Sequence, residues 1–461
     1  MMPSRPFTAS LGLLTLAALA LSSCEPHLDS VPAPSAGTLN LSRYAAFGDD
    51  YTAGVSNGGV TAYSQEYSFP NLLARQLALG GGAGFEQPLL AAGESTGGLA
   101  LLGLNARNQA LLGPAAVTSL DAELVDAGTP CERTQYRFPA WAGVGHLPQN
   151  LGVPGLRLAH LETAGLGDDA NLHAPAVPYN GYLERLLPDG ADNASYTTLV
   201  AKAQPTFFTV SIGLSDIMPF VRSGGTCGPL PTAAGLGALA TRFLDSLVAT
   251  TGTAKGVILG VPSPFNLPLI RTRVSEVNRQ LGRAADAPVY VLSAAGPDPV
   301  VASAGDVVLL PMVSRIGRLE TATGAPAATA FGLTTENPLR DEDVLSEANV
   351  SAINTLLNGR NGLKQRLEEG VAKAGGRLMY VDLVALFGDM TNGRYIDGTR
   401  YSGDPVTGGL FSHDGYTLSP RGNAVLVNHI IENINKDASK GGFNSNLPRL
   451  DIGSMPPLLL P

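Results

Sequence analysis

The sequence predicts an α/β domain built on a mainly parallel sheet, and two patterns carry that expectation. The first is a set of short, continuous apolar runs: 44–47 (YAAF), 207–212 (FFTVSI), 256–261 (GVILGV), 289–292 (VYVL) and 378–381 (LMYV). Runs without polar alternation are strands covered on both faces, as in parallel sheets. The second is the amphipathic stretches that alternate with these runs, which supply the crossover helices a parallel sheet requires.

Taken in order, the run at 44–47 stops at Gly48, and Phe69, Leu72, Leu73 and Leu77 then recur at helical spacing. The run at 207–212 also ends at a glycine, Gly213. One long helix is expected over 346–371, with Ile353, Leu356, Leu357, Leu363, Leu367 and Val371 on one face and Gly359 and Gly362 weakening its middle. The last helix begins at Ser419-Pro420, an N-cap serine followed by proline at the first helical position. Its buried stripe is Val427, Ile430, Ile431 and Ile434. Gly/Ala/Pro-rich stretches near 80–150 and 265–340 fit insertions or lids better than separate domains. Ligands in such folds sit at the carboxyl ends of the strands, so the exits at Gly48 and Gly213 and the loop before Ser419 are where chemistry is expected.

The flanks set the expected compartment. Arg5, the apolar run 11–21 (LGLLTLAALAL) and Leu21-Ser22-Ser23-Cys24 have the order of a secretory signal ending in a bacterial lipoprotein cysteine. Residues 1–23 are then a signal peptide, Cys24 is the lipid attachment site, and 24–40 is a Pro/Ser/Ala-rich tether. A diacyl-type anchor at Cys24 makes the membrane a partner, places the protein in the bacterial cell envelope at the outer membrane, and needs no transmembrane helix. The folded domain is expected over 41–440, followed by a tail at 441–461. A net charge of −9 without a basic cluster argues against nucleic acid. Cys131 and Cys227 form an even pair in an oxidising compartment, where a disulfide and two separate buried thiols are both open. Trp141 and the histidines other than His413 carry no motif.

Four motifs fall at the predicted exits: Gly48-Asp49-Asp50-Tyr51-Thr52-Ala53-Gly54, Asn150-Leu151-Gly152-Val153-Pro154-Gly155, Gly213-Leu214-Ser215-Asp216, and Asp414-Gly415-Tyr416-Thr417 before Pro420-Arg421-Gly422. Their order and strand context, over nearly the whole mature chain, resemble the four blocks of the SGNH/GDSL hydrolases. The flanks (SFPNLLARQL and GGLFSHDG) are similar to lipoprotein members of that family from Bacteroidetes-type bacteria. The resemblance implies a three-layer α/β/α sandwich of the flavodoxin-like SGNH type with loop insertions. It also implies hydrolysis of acyl or carbohydrate esters by a serine nucleophile with a histidine base, an aspartate that orients the base, and an oxyanion hole. That is the logic of the serine triad on another fold.

Carried over residue by residue, the nucleophile position is Asp50, the oxyanion glycine is Gly155, the oxyanion asparagine is Ser215, the orienting aspartate is Asp414 and the base is Thr417. Only Gly155 and Asp414 keep the family identity. A carboxylate at Asp50 makes no acyl-serine and repels an oxyanion, and a threonine hydroxyl has no accessible protonation change near neutral pH. The expectation is a pseudoenzyme that binds a carbohydrate or acyl-ester ligand in a cleft bounded by Gly48, Asp49, Gly213, Asp216 and His413, with no cofactor. The alternative is an ester hydrolase with a rebuilt site, Asp50 acting as a carboxylate nucleophile and His413 turned in to activate it or a water. Neighbours in extended chain point to opposite sides, so His413 and Asp414 are not expected to share the cleft; a lone His413 reads as solvent-facing or as support for the site. Asp49, Asp50, Asp216 and Asp414 together suggest a hard cation, but no loop of alternating oxygen ligands is present and no metal is expected.

Overall fold

The computed structural model describes residues 32–118, 123–126, 135–141, 145–171, 178–188, 191, 193–293, 296–404 and 407–458. The predicted signal peptide, the lipid site Cys24 and Cys131 lie outside the described residues. The described residues from 34 onward form one compact unit.

At its centre is a five-stranded, all-parallel sheet: β1 (Tyr44–Gly48), β2 (Asn150–Gly152), β3 (Phe207–Ser211), β4 (Lys255–Leu259) and β5 (Leu378–Val381), in the order β5-β4-β3-β1-β2. All residues of β1 and β3 are buried, which is why these runs carry no polar alternation. From β1 the chain first crosses to one side, to β2, and then to the other, to β3. The strand order therefore reverses between β1 and β3, and a crevice at their carboxyl ends is where doubly wound folds place ligands. Gly48 ends β1 at φ +135°, and a Cβ there would stand 1.8 Å from the carbonyl oxygen of Ser211 on β3, so only glycine lets the two strands leave the sheet side by side.

The helices are α1 (Asp50–Ala53), α2 (Phe69–Leu79), α3 (Tyr196–Ala203), α4 (Ala233–Thr250), α5 (Glu347–Asn358), α6 (Leu363–Lys373), α7 (Val384–Asn392) and α8 (Pro420–Ile434), with several shorter ones between them. The crossover α2 packs on α8, and α4 packs on both α3 and α6. The cap expected at Ser419 is present: its Oγ accepts from the Gly422 N–H at 3.1 Å, and the Val427, Ile430, Ile431 and Ile434 stripe is fully buried.

Three expectations need correction. The single helix over 346–371 is two helices, α5 and α6, separated by extended backbone at Gly359 and Gly362 and by Asn361 at φ +62°. Each glycine costs about 1 kcal/mol in a helix interior, and the break lets α6 lie against α4, where Gly370 meets the Leu244 side chain. The run at 289–292 does form a strand, Tyr290–Leu292, but in a separate three-stranded sheet with Val300–Val301 and Leu339–Arg340. Its exposure alternates, and it belongs to a small second core with Val274, Val277, Ile316, Phe331 and Leu339 inside the 265–340 insertion. The ends of the tether and tail are packed rather than loose. Ser35 pairs with Asn446, the Thr38 N–H donates to the Phe443 carbonyl, and Leu39, Phe443, Leu447 and Ile452 sit in the main core. Their apolar residues are spaced too irregularly to announce an element.

The 80–150 insertion contributes an antiparallel hairpin, Thr96–Leu104 with Ala110–Val117, and a short pairing of Glu123–Asp126 with Gln135–Arg137. Cys227 is disulfide-bonded, and both other cysteines lie outside the described residues.

Candidate functional site

The reversal between β1 and β3 brings the sequence motifs to one place. Asp50, the first residue of α1, is fully buried. Its Oδ1 accepts from the Gly155 N–H at 2.8 Å, and its Oδ2 accepts from the Tyr416 hydroxyl at 3.2 Å. The second motif folds as β2 and a turn with Gly155 at φ +75°, a left-handed conformation that aims the N–H at Asp50. Tyr51 reaches across to the same loop, its hydroxyl donating to the Tyr416 carbonyl at 2.8 Å. The Asp50 carboxylate thus occupies the Gly155 backbone donor, and the Tyr416 hydroxyl meets its other oxygen.

Asp49 turns away from this point. Its Oδ2 accepts from the Ser215 N–H at 3.2 Å, tying the ends of β1 and β3 together, while its Oδ1 is buried without a partner. Burial, reinforced by the neighbouring Asp50 carboxylate, pushes its pKa well above the ordinary range. The Ser215 hydroxyl is buried and also without a hydrogen-bond partner. Asp216 caps the turn Leu158–His160, accepting from the Leu158 N–H at 3.0 Å. The four carboxylates therefore do not converge: Asp49 and Asp216 serve backbone, and only Asp50 and Asp414 remain in the shell around Tyr416. No group of three or more His, Cys, Asp or Glu side chains able to hold a metal ion occurs among the described residues.

Asp414 organises the last loop. Its Oδ1 accepts from the N–H groups of Tyr416 (2.9 Å) and Thr417 (2.8 Å), and its Oδ2 from the Thr417 hydroxyl (2.6 Å) and the Gly58 N–H (2.7 Å). The Thr417 proton is committed to that carboxylate, and its oxygen is 2.7 Å from Ser412 Oγ. His413 is buried rather than solvent-facing, and neither ring nitrogen has a hydrogen-bond partner. Burial lowers its pKa, so the ring is neutral at neutral pH. It makes no contact with Asp50 of the kind a general base needs.

Tyr416 is the residue that sequence reasoning missed. It covers Asp50 and lies under the guanidinium of Arg222, whose Cζ is 6.0 Å from the ring centroid. The only signal was an aromatic residue between Asp414 and Thr417. Immediately outside this shell is a cavity of about 360 Å³ that includes Gly58, Pro154 and Arg222 in its wall.

The electrostatics give a stability prediction. Burial raises the pKa of Asp216 to about 7, against the opposing effects of the Leu158 N–H and of Arg157. The folded state then binds a proton more tightly than the unfolded chain, so this contribution is full below about pH 4 and is lost as pH rises through 7. Asp216→Asn keeps an acceptor for Leu158 and removes the loss. It is expected to stabilise the protein at pH 8 by about 1–3 kcal/mol and to have little effect at pH 4. Urea unfolding of both proteins at the two pH values checks this; an asparagine variant less stable at pH 8 contradicts it.

No protein-family profile, curated protein or solved structure matches the chain.

Proposed function

We propose that the chain is an SGNH/GDSL hydrolase-like domain of the three-layer α/β/α type that holds a carbohydrate or acyl-ester ligand without hydrolysing it. The sheet order and the meeting of four motifs at the β1/β3 reversal support the likeness. The single observation that carries the non-catalytic reading is the Asp50 carboxylate, buried against the Gly155 N–H under the Tyr416 hydroxyl. An ester carbonyl polarised there would need the Gly155 donor, and its developing negative charge would meet the carboxylate already in place. Thr417, locked to Asp414, supplies no base.

The rebuilt-hydrolase reading gains no support: Asp50 is shielded from solvent, and His413 does not hydrogen-bond to it. Placement in the cell envelope through a lipid on Cys24 is part of the proposal and rests on the leader pattern Arg5, 11–21 and Cys24 alone. No helix among the described residues is long and apolar enough to cross a membrane. Ester turnover by the full chain tests the function. Hydrolysis of p-nitrophenyl butyrate at the buffer rate supports it, and turnover that Asp50→Ala removes overturns it.

A further inference from the structure

The cavity outside Asp50 has a lining that narrows the ligand class. Its volume, about 360 Å³, is within the range of small-molecule sites, roughly 300–1,000 Å³. One wall is aromatic, formed by Tyr136, Phe138 and Tyr182, with the first two rings 6.2 Å apart and tilted by 40°. Three glycines, Gly58, Gly97 and Gly98, also line the cavity. Gly97 and Gly98, at φ +86° and +127°, begin the insertion hairpin so close to the turn at Gly58 that a Cβ on Gly98 would stand 2.3 Å from the Asn57 carbonyl oxygen. Glycine here lets the hairpin lie directly against that turn.

Polar side chains in the described lining are few. The Thr96 hydroxyl accepts from the Val60 N–H at 2.8 Å, which leaves its own proton to donate. The Asn180 amide reaches the Pro154 carbonyl at 3.1 Å with one of its two N–H bonds. Among the described lining residues there is no Leu, Ile or Met, and no Asp or Glu. An acyl chain gains about 0.8 kcal/mol per buried CH₂ only if apolar atoms close around it, and the aliphatic lining here is limited to small side chains and one proline. A carboxylate ligand would find Arg222, but also the buried Asp50 and Asp414 carboxylates just beneath. A neutral ring with C–H faces and many hydroxyls fits the aromatic faces and the scattered donors and acceptors, and Arg222 is the one charged residue of the described lining.

We propose that this cavity takes a neutral carbohydrate of one or two rings, stacked on Tyr136 and held by Thr96 and Asn180. This rests on the non-catalytic reading above, because the ligand lies outside the sealed Asp50 position and has no need to reach it.

Saturation-transfer NMR on the full chain in dodecyldimethylamine oxide tests it, with saturation applied at the aromatic protons. The probes are methyl β-glucoside, cellobiose and diacetylchitobiose, with butyl butyrate and glucuronate as competitors of other classes. Transfer to the ring C–H protons of at least one neutral sugar is expected, at least tenfold weaker in Tyr136→Ala. Ala116→Trp, at an exposed position of the hairpin that lines the cavity, puts a bulky side chain in the ligand's space while leaving Tyr136 in place and is expected to abolish the signal, which keeps the test decisive if the first variant fails to fold. Transfer only to butyl butyrate or glucuronate, transfer to no probe, or a sugar signal unchanged in the folded variants overturns the proposal. Ester turnover by the native chain is scored separately: it sinks the non-catalytic reading, while the sugar signals and their response to the two variants still decide the site.

Discussion

Asp50→Ser combined with Thr417→His is expected to raise ester hydrolysis on the order of 10²-fold over the native chain, the lower end of what a positioned base supplies. The serine frees the Gly155 N–H that Asp50 now occupies and removes the charge that opposes an oxyanion. The histidine replaces a hydroxyl already bonded to Asp414, so the orienting carboxylate is in place without further change. Each substitution alone is expected to do little, because a nucleophile without a base and a base without a nucleophile act as neither. Adding Ser215→Asn supplies the third donor and is expected to contribute a further factor of about 10². Rates on p-nitrophenyl acetate for the single, double and triple variants check the series. A double variant no faster than Asp50→Ser alone contradicts the assignment of Thr417 to the base position.

The second large effect is on stability. Asp414→Ala removes one carboxylate that satisfies three backbone N–H groups and a hydroxyl, the Tyr416 and Thr417 groups in its own buried loop and the Gly58 N–H in a half-buried turn. Each unsatisfied buried donor costs about 1–3 kcal/mol, and water entering the space offsets part of the sum, so a loss of about 3–4 kcal/mol is expected. Thr417→Val breaks only the hydroxyl's bonds, to Asp414 and Ser412, and is expected to cost about 1–2 kcal/mol. Asp414→Asn falls between the two. Urea unfolding gives the ranking, and a loss below 1 kcal/mol for Asp414→Ala means that the carboxylate does not hold the loop.

What the sequence made legible was the framework. Runs buried on both faces, such as YAAF and FFTVSI, have one physical reading, and the Ser419-Pro420 cap fixes a helix start to the residue. β2, by contrast, is a three-residue edge strand in Asn150–Gly152, too short to show a period, and was found only as a motif. The helix break at Gly359–Gly362 and the displacement of VYVL to a second small sheet depend on what packs against them, which periodicity does not encode.

The site was legible as a list of residues but not as an arrangement. That Asp50, Ser215 and Thr417 stand where the resemblance expects serine, asparagine and histidine is read from the motifs alone. That Asp50 turns onto Gly155, that Asp49 and Asp216 face backbone, and that His413 is buried and unpaired follow from side-chain directions set by the fold. Tyr416 escaped notice because a buried aromatic is most often packing, and only its hydroxyl, directed at Asp50, distinguishes it.

The central claim is that Asp50 seals the site rather than working in it. The most direct measurement is hydrolysis of p-nitrophenyl butyrate by the native full chain beside Asp50→Ala. The account predicts that both run at the buffer rate. A native chain clearly faster than buffer, with the excess lost in Asp50→Ala, contradicts it and makes Asp50 the nucleophile.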